Sequence, residues 1–228
     1  MGSNRMMLAA LVNVGLTVTL AAVLGAAPGE AAPSATAPRC FGKPATIVGT
    51  GYLTGTPGPD VIVARGGAEV HAHGGDDRVC GAILVYGGAG DDRIRFGGRG
   101  GDYPELSGQG GDDLVVLTVD RVGHLGGGGG DDTLRSRGAE QFLDGGPGAD
   151  VLVAGPGSDS LFGMGSDDRL VGGRGSDTVD GRGGDDLLEG GRGNDELVGG
   201  RGDDTGRAGA GTDRCHDDVE HRSHCERS

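Results

Sequence analysis

Between residues 145 and 213 the hydrophobic positions repeat with a period of nine. A single aliphatic residue recurs every nine positions, as Leu152, Leu161, Leu170, Val179, Leu188 and Leu197, and most positions between are glycine or polar. Neither the i, i+3, i+4 spacing of a surface helix nor the long alternation of an ordinary half-buried strand is present. A lone aliphatic with one residue on either side predicts a short strand that points one side chain inward. The glycine-rich run before it predicts a tight loop, because glycine adopts positive φ without a Cβ penalty. The pattern therefore predicts an all-β chain of short strands and turns, each strand burying one aliphatic.

Two positions before each of these aliphatics stands an aspartate, Asp150, Asp159, Asp168, Asp177, Asp186 and Asp195, and the series runs on in phase to Asp204 and Asp213. The unit reads G-G-x-G-x-D-x-U-x, where U is aliphatic, and matches to its first eight positions begin at Gly87, Gly127, Gly145, Gly172 and Gly190. Upstream the period loosens. Asp60, Asp77, Asp92, Asp113, Asp132 and Asp150 are 17, 15, 21, 19 and 18 residues apart, near twice nine, as if alternate units had lost their carboxylate. Midway between Asp132 and Asp150 the expected position holds Gln141, while Leu143 keeps the aliphatic. In residues 97–105 the aspartate survives as Asp102, but Pro104 occupies the aliphatic position.

The amino-terminal segment follows a different rule. Arg5 precedes the apolar run Met6–Ala27, and small residues follow it up to Ala37. This is the layout of a secretory signal peptide, with cleavage expected between about 27 and 37. An uncleaved anchor is the rival, and both place the remaining chain outside the cytoplasm. The expected organisation is a leader at 1–37, degenerate repeats with an amino-terminal cap at 38–144, regular repeats at 145–213 and a carboxy-terminal cap at 214–228.

Composition narrows the function. With 53 Gly and 9 Pro in 228 residues, the chain would read as disordered if it had no period. Aromatics make up 3 %, too few for a base-stacking surface. The net charge of -14 argues against nucleic acid and anionic membranes, which call for a basic face. Neither G-x-S-x-G nor H-E-x-x-H occurs, and His221 and His224 have the wrong spacing for the latter. The sequence is read as that of a non-enzyme. The second acid of pairs such as Asp167-Asp168 and Asp185-Asp186 is read as solvated charge.

The nonapeptides resemble RTX (repeats-in-toxin), or hemolysin-type calcium-binding, repeats. The opening around Cys40–Thr50 and the ending Gly211–Cys225 are similar to small secreted actinobacterial proteins built only of such repeats. The resemblance implies a right-handed parallel β-roll with two repeats per coil, and Ca2+ between loops 18 residues apart. It assigns Asp132, Asp150, Asp168, Asp186 and Asp204 to one edge, and Asp159, Asp177, Asp195 and Asp213 to the other. Asp60, Asp77, Asp92 and Asp113 are weaker candidates. Carbonyls of Gly145, Gly148, Gly172, Gly175, Gly190 and Gly193 would complete the shells, giving up to about seven strong sites. Ca2+ suits such a set because it takes 6–8 hard oxygen ligands.

Four cysteines allow three pairings. A solenoid with two ends to cap favours Cys40–Cys80 and Cys215–Cys225. A zinc cluster of the tail histidines His216, His221 and His224 with those cysteines is the rival. The functional reading is a secreted calcium-binding protein whose folding is coupled to Ca2+. An extracellular recognition or adhesion module for an envelope or polysaccharide partner is the alternative, and a hydrolase accessory domain a distant one.

Overall fold

The computed structural model describes residues 37–98, 103–216 and 218–225. The predicted leader therefore lies outside the described residues, as does Asp102. Within them the chain forms 21 β-strands and no helix.

Strands two apart in sequence pair in parallel, so the chain winds into a solenoid. Each coil contributes one strand to a back face and the next to a front face. Successive back-face strands align Ile47, Ile62, Val79, Ile94, Val115, Leu134, Leu152, Leu170, Leu188 and Gly206. Successive front-face strands align Leu53, Val70, Val85, Leu106, Leu125, Leu143, Leu161, Val179, Leu197 and Cys215. These are coils one to ten. At a strand spacing of about 4.8 Å the roll is about 45 Å long.

The two aliphatic files face each other and make up the core. Leu125, Leu134, Leu143, Leu152, Leu161, Leu170, Leu188 and Leu197 are fully buried. Where loops of the earlier half depart from the nonapeptide, larger residues turn inward as well, with Phe96 and Leu117 buried beside the back-face file. This answers the irregular spacing upstream. The 21-residue step from Asp92 to Asp113 still closes one coil, because Arg93–Phe96 pairs with Leu114–Leu117 without a register shift.

Both ends are tied down. Cys40 follows Arg39 into a short antiparallel pair with Lys43–Pro44 and is bonded to Cys80 in the third coil. At the far end the back-face file loses its side chain at Gly206, and Val219 from the tail occupies that space. A Cβ on Gly206 would stand 2.6 Å from a Val219 methyl, and Val219 is fully buried. Cys215 and Cys225 close the tail over this plug. The tail histidines are drawn apart: His216 meets Glu196 at 2.7 Å and His221 meets Asp203 at 3.1 Å. Among the described residues, no three His, Cys, Asp or Glu side chains form a metal cluster.

Candidate metal centre

The loops run along the two edges of the roll and end in the repeat aspartate. Loops passing from front to back end in Asp60, Asp77, Asp92, Asp113, Asp132, Asp150, Asp168, Asp186 and Asp204. Loops passing from back to front end in Gln141, Asp159, Asp177, Asp195 and Asp213. The near-doubled spacing upstream thus has a simple cause. The first edge keeps its carboxylate from coil two on, and the second edge has aspartate only from coil seven on.

Each aspartate bridges to its neighbour in the same way. The amide of Asp150 donates to Asp168 Oδ1 at 2.8 Å, that of Asp168 to Asp186 at 2.8 Å, and that of Asp186 to Asp204 at 2.9 Å. Upstream the ladder continues through Asp60 to Asp77, Asp77 to Asp92, Asp92 to Asp113, Asp113 to Asp132 and Asp132 to Asp150, at 2.6–2.8 Å. Glu220 ends it by accepting the Asp204 amide at 2.9 Å. On the second edge Gln141 donates to Asp159, Asp159 to Asp177, Asp177 to Asp195 and Asp195 to Asp213.

Oδ1 is satisfied and Oδ2 is not. In Asp77, Asp92, Asp113, Asp132, Asp150, Asp159, Asp168, Asp177, Asp186, Asp195, Asp204 and Asp213 the second carboxylate oxygen is buried with no hydrogen-bond partner. A buried charged oxygen left without a partner is costly, yet here it recurs in coil after coil. Asp60 differs. Its Oδ2 accepts both the amide and the hydroxyl of Thr56, at 2.6 and 2.9 Å.

The first glycine of the nonapeptide gives the orphaned oxygen its room. A Cβ on Gly163 would stand 2.3 Å from Asp168 Oδ2 and 2.9 Å from the Gly181 carbonyl oxygen of the next coil. The same convergence recurs at Gly127, with Asp132 Oδ2 at 2.2 Å and the Gly145 carbonyl at 2.6 Å, and at Gly172, with Asp177 Oδ2 at 2.5 Å and the Gly190 carbonyl at 2.8 Å. It recurs in the degenerate half too, at Gly87 with Asp92 and the Gly108 carbonyl. The fourth position serves the stacking of loops instead: the Gly175 and Gly193 carbonyls each press on the equivalent glycine of the next coil. Gly148 holds that fourth position in its own loop, and Gly172 the first.

Burial and crowding act on the carboxyls in the same direction. Loss of solvent pushes Asp113 up to about 8 and Asp77, Asp132, Asp168 and Asp177 to about 7. The backbone N–H from the preceding coil pulls each back down, and neighbouring carboxylates push it up again. Asp92, Asp150, Asp159 and Asp186 rise to about 6 for the same leading reason. A line of desolvated carboxyls, each with one free oxygen and most with a carbonyl oxygen beside it, is a donor set made wholly of hard oxygen. That chemistry suits Ca2+ and gives softer metals no nitrogen or sulfur.

Residues 84–103, 144–179 and 180–215 match the model of the RTX calcium-binding nonapeptide repeat, in four copies. These segments are RTX repeats. Neither a curated protein nor a solved structure matches the chain. The RTX roll is a calcium-binding fold, and its buried aspartates lie in the stacked turns of that fold. The segment 104–143 falls outside the matched repeats, yet Asp113 and Asp132 there repeat the hydrogen bonds and the orphaned oxygen of the matched loops.

An outer row escaped the sequence reading. On the first edge, Asp112 Oδ1 accepts the amide of Asp131, Asp91 Oδ1 that of Asp112, and Asp185 Oδ1 that of Asp203, at 2.9–3.0 Å. These residues are exposed, as the solvated reading expects, but they also bridge coils. The equivalent residues on the second edge are Ser158, Ser176, Asn194 and Thr212, and only Asn194 forms such a bridge, to the Thr212 amide at 3.0 Å. The signal was available: every Asp-Asp pair of the repeats falls on one side of the 18-residue alternation.

Proposed function

We propose that the chain is an extracellular, non-enzymatic calcium-binding protein whose roll becomes stable when its two aspartate edges are loaded. The observation that carries this reading is the row of buried Oδ2 atoms without partners, which at Asp92, Asp132, Asp150, Asp168, Asp177, Asp186, Asp195 and Asp204 meet a carbonyl oxygen where a glycine has cleared the space. Asp77, Asp92, Asp113, Asp132, Asp150, Asp168, Asp186 and Asp204 would hold ions along the first edge. Asp159, Asp177, Asp195 and Asp213 would hold them along the second. Bound Ca2+ supplies positive charge that offsets the stacked carboxylates. Asp60, with both oxygens engaged, ends the first row. That the chain is exported rests on the apolar amino-terminal run and agrees with two disulfides, which persist in oxidising compartments.

The expected stabilisation is additive. At ~1 mM free ion and a Kd of ~0.1 mM, each site contributes about 1.4 kcal/mol. Several sites together match the whole stability of an ordinary domain, of order 10 kcal/mol. The test is calcium titration of the disulfide-intact chain by calorimetry with circular dichroism alongside. The reading requires several ions at sub-millimolar affinity and a parallel gain of β signal. No binding up to about 10 mM would overturn it.

A further inference from the structure

The two flat faces of the roll carry opposite charge. The front face holds Glu69, Glu105, Asp144, Asp180 and Glu196 against two arginines, Arg214 and Arg182, the latter paired with Asp180 at 3.5 Å and lying over the Phe162 ring. Outward positions of the back face hold Arg78, Arg93, Arg95, Arg135, Arg169 and Arg207 against one acid, Glu189. The loops cannot account for this division, since their charges lie on the edges.

Both faces also expose apolar surface between the charges. Tyr52 is 60 % and Phe142 37 % exposed on the front, and Val48 41 % and Leu187 42 % on the back. The front face adds a ring column of Tyr52, His71 and Tyr86, with centroids 5.0 and 4.6 Å apart, and a second of His124, Phe142 and Phe162 at 4.8 and 5.1 Å. On the back face Arg93, Arg135 and Arg207 are exposed and form no ion pair among the described residues, and the Nε of Arg78 is buried without a partner.

We propose that the occupant of each face is a second copy of this chain, the acidic aromatic front of one roll lying on the basic aliphatic back of the next. Two copies share one coil rise, so facing charges stay in step along the whole rod. With rod axes parallel and coils level, Glu105 of one copy faces Arg93 and Arg95 of the other in coil four. Asp144 faces Arg135 in coil six. Arginine planes also settle on exposed rings. Front-on-back contact is heterologous, so it does not close and builds open stacks rather than a two-fold dimer. A face about 45 Å long and about 12 Å wide buries roughly 1,000 Å2 across both partners, the size of a weak, reversible contact.

The test is sedimentation of the calcium-loaded full chain. Association should increase with concentration at roughly 50 mM salt, where charges are felt over about 14 Å, and fall back to the single chain near 1 M, where the range is about 3 Å. Two variants decide the geometry. Glu105→Arg with Asp144→Arg sets arginine against arginine in coils four and six, and Arg93→Glu with Arg135→Glu sets acid against acid there. Each variant alone should stay monomeric, and an equimolar mixture should associate again. Wild-type chain that remains monomeric at low salt, or a mixture that fails to associate, overturns the proposal. Calcium-dependent circular dichroism of the same samples reports the roll itself. A failure to stack is thereby distinguished from a failure to bind calcium.

Discussion

At the residue scale, the carboxyl pair inside each repeat aspartate does two jobs that conflict in water-free surroundings. Oδ1 caps an amide of the coil before, and Oδ2 is left for a ligand. The consequence for pH can be signed. In an unfolded chain these carboxyls titrate near 3.8, whereas in the metal-free roll Asp77, Asp113, Asp132, Asp168 and Asp177 titrate at about 7 to 8. The folded state therefore binds more protons between these values, and its stability falls as pH rises. In chelator the β signal should be strongest near pH 4 and weaken through pH 8, as circular dichroism will read. With Ca2+ the trend should reverse, because loading requires deprotonated carboxylates. Glycine has separate duties in the same loop. Gly193 sits at φ 133, and a Cβ there would reach 1.8 Å from the Gly175 carbonyl oxygen, so Gly193→Ala should cost at least about 3 kcal/mol in denaturant unfolding. Met164 stands at φ 91 where the consensus has glycine, and Met164→Gly should gain about 1 kcal/mol.

At the element scale, the strand-loop unit was legible because one aliphatic and one aspartate recur nine apart. That period marked both the inward residue and the loop-ending carboxylate, and the structure puts Leu152, Leu161, Leu170 and their successors in the core. The degenerate half was less legible. Loops such as 97–104 vary in length, and a solenoid tolerates this so long as the paired strands keep register. Pro104 does not enter the aliphatic file, which Leu106 continues. Gln141 was recognisable as a replaced aspartate, but not its purpose. Its side-chain amide donates to the Arg121 and Ala139 carbonyls, while its backbone amide begins the second-edge ladder at Asp159. Gln141→Asp should lower metal-free stability by about 1–3 kcal/mol, through lost bonds and added charge. It should also raise the calorimetric ion count by one, by giving Asp159 an upstream partner.

At the scale of the whole molecule, cohesion is distributed unevenly. Coils seven to ten carry aspartate on both edges, whereas coils two to five carry it on one. The early coils have instead the longer disulfide loop, 40 residues between Cys40 and Cys80 against 10 between Cys215 and Cys225. By chain entropy these closures contribute about 4 and about 3 kcal/mol. Calcium removal with disulfides intact should therefore loosen the later coils first. Reduction in saturating Ca2+ should loosen the early ones. Hydrogen exchange resolved by segment would separate the two, and equal loss along the chain under both treatments would contradict this division. The sequence showed this gradient in outline, through the carboxylates missing from alternate upstream units, and the structure adds that Asp60, Asp77, Asp92 and Asp113 all lie on the first edge.

Val219 gives the last coil a further property. A roll whose strands pair along its axis ends in a row of unpaired backbone groups, a template on which another roll could continue. The valine fills the hollow at Gly206, and His221–Ser223 pairs with the last back-face strand, Thr205–Arg207. It acts as a stopper against lengthwise growth. Val219→Asp should uncork the end, and the rolls should then join into fibres that bind thioflavin and lengthen without a fixed limit. Loss of that one small side chain would then lengthen a rod of ten coils.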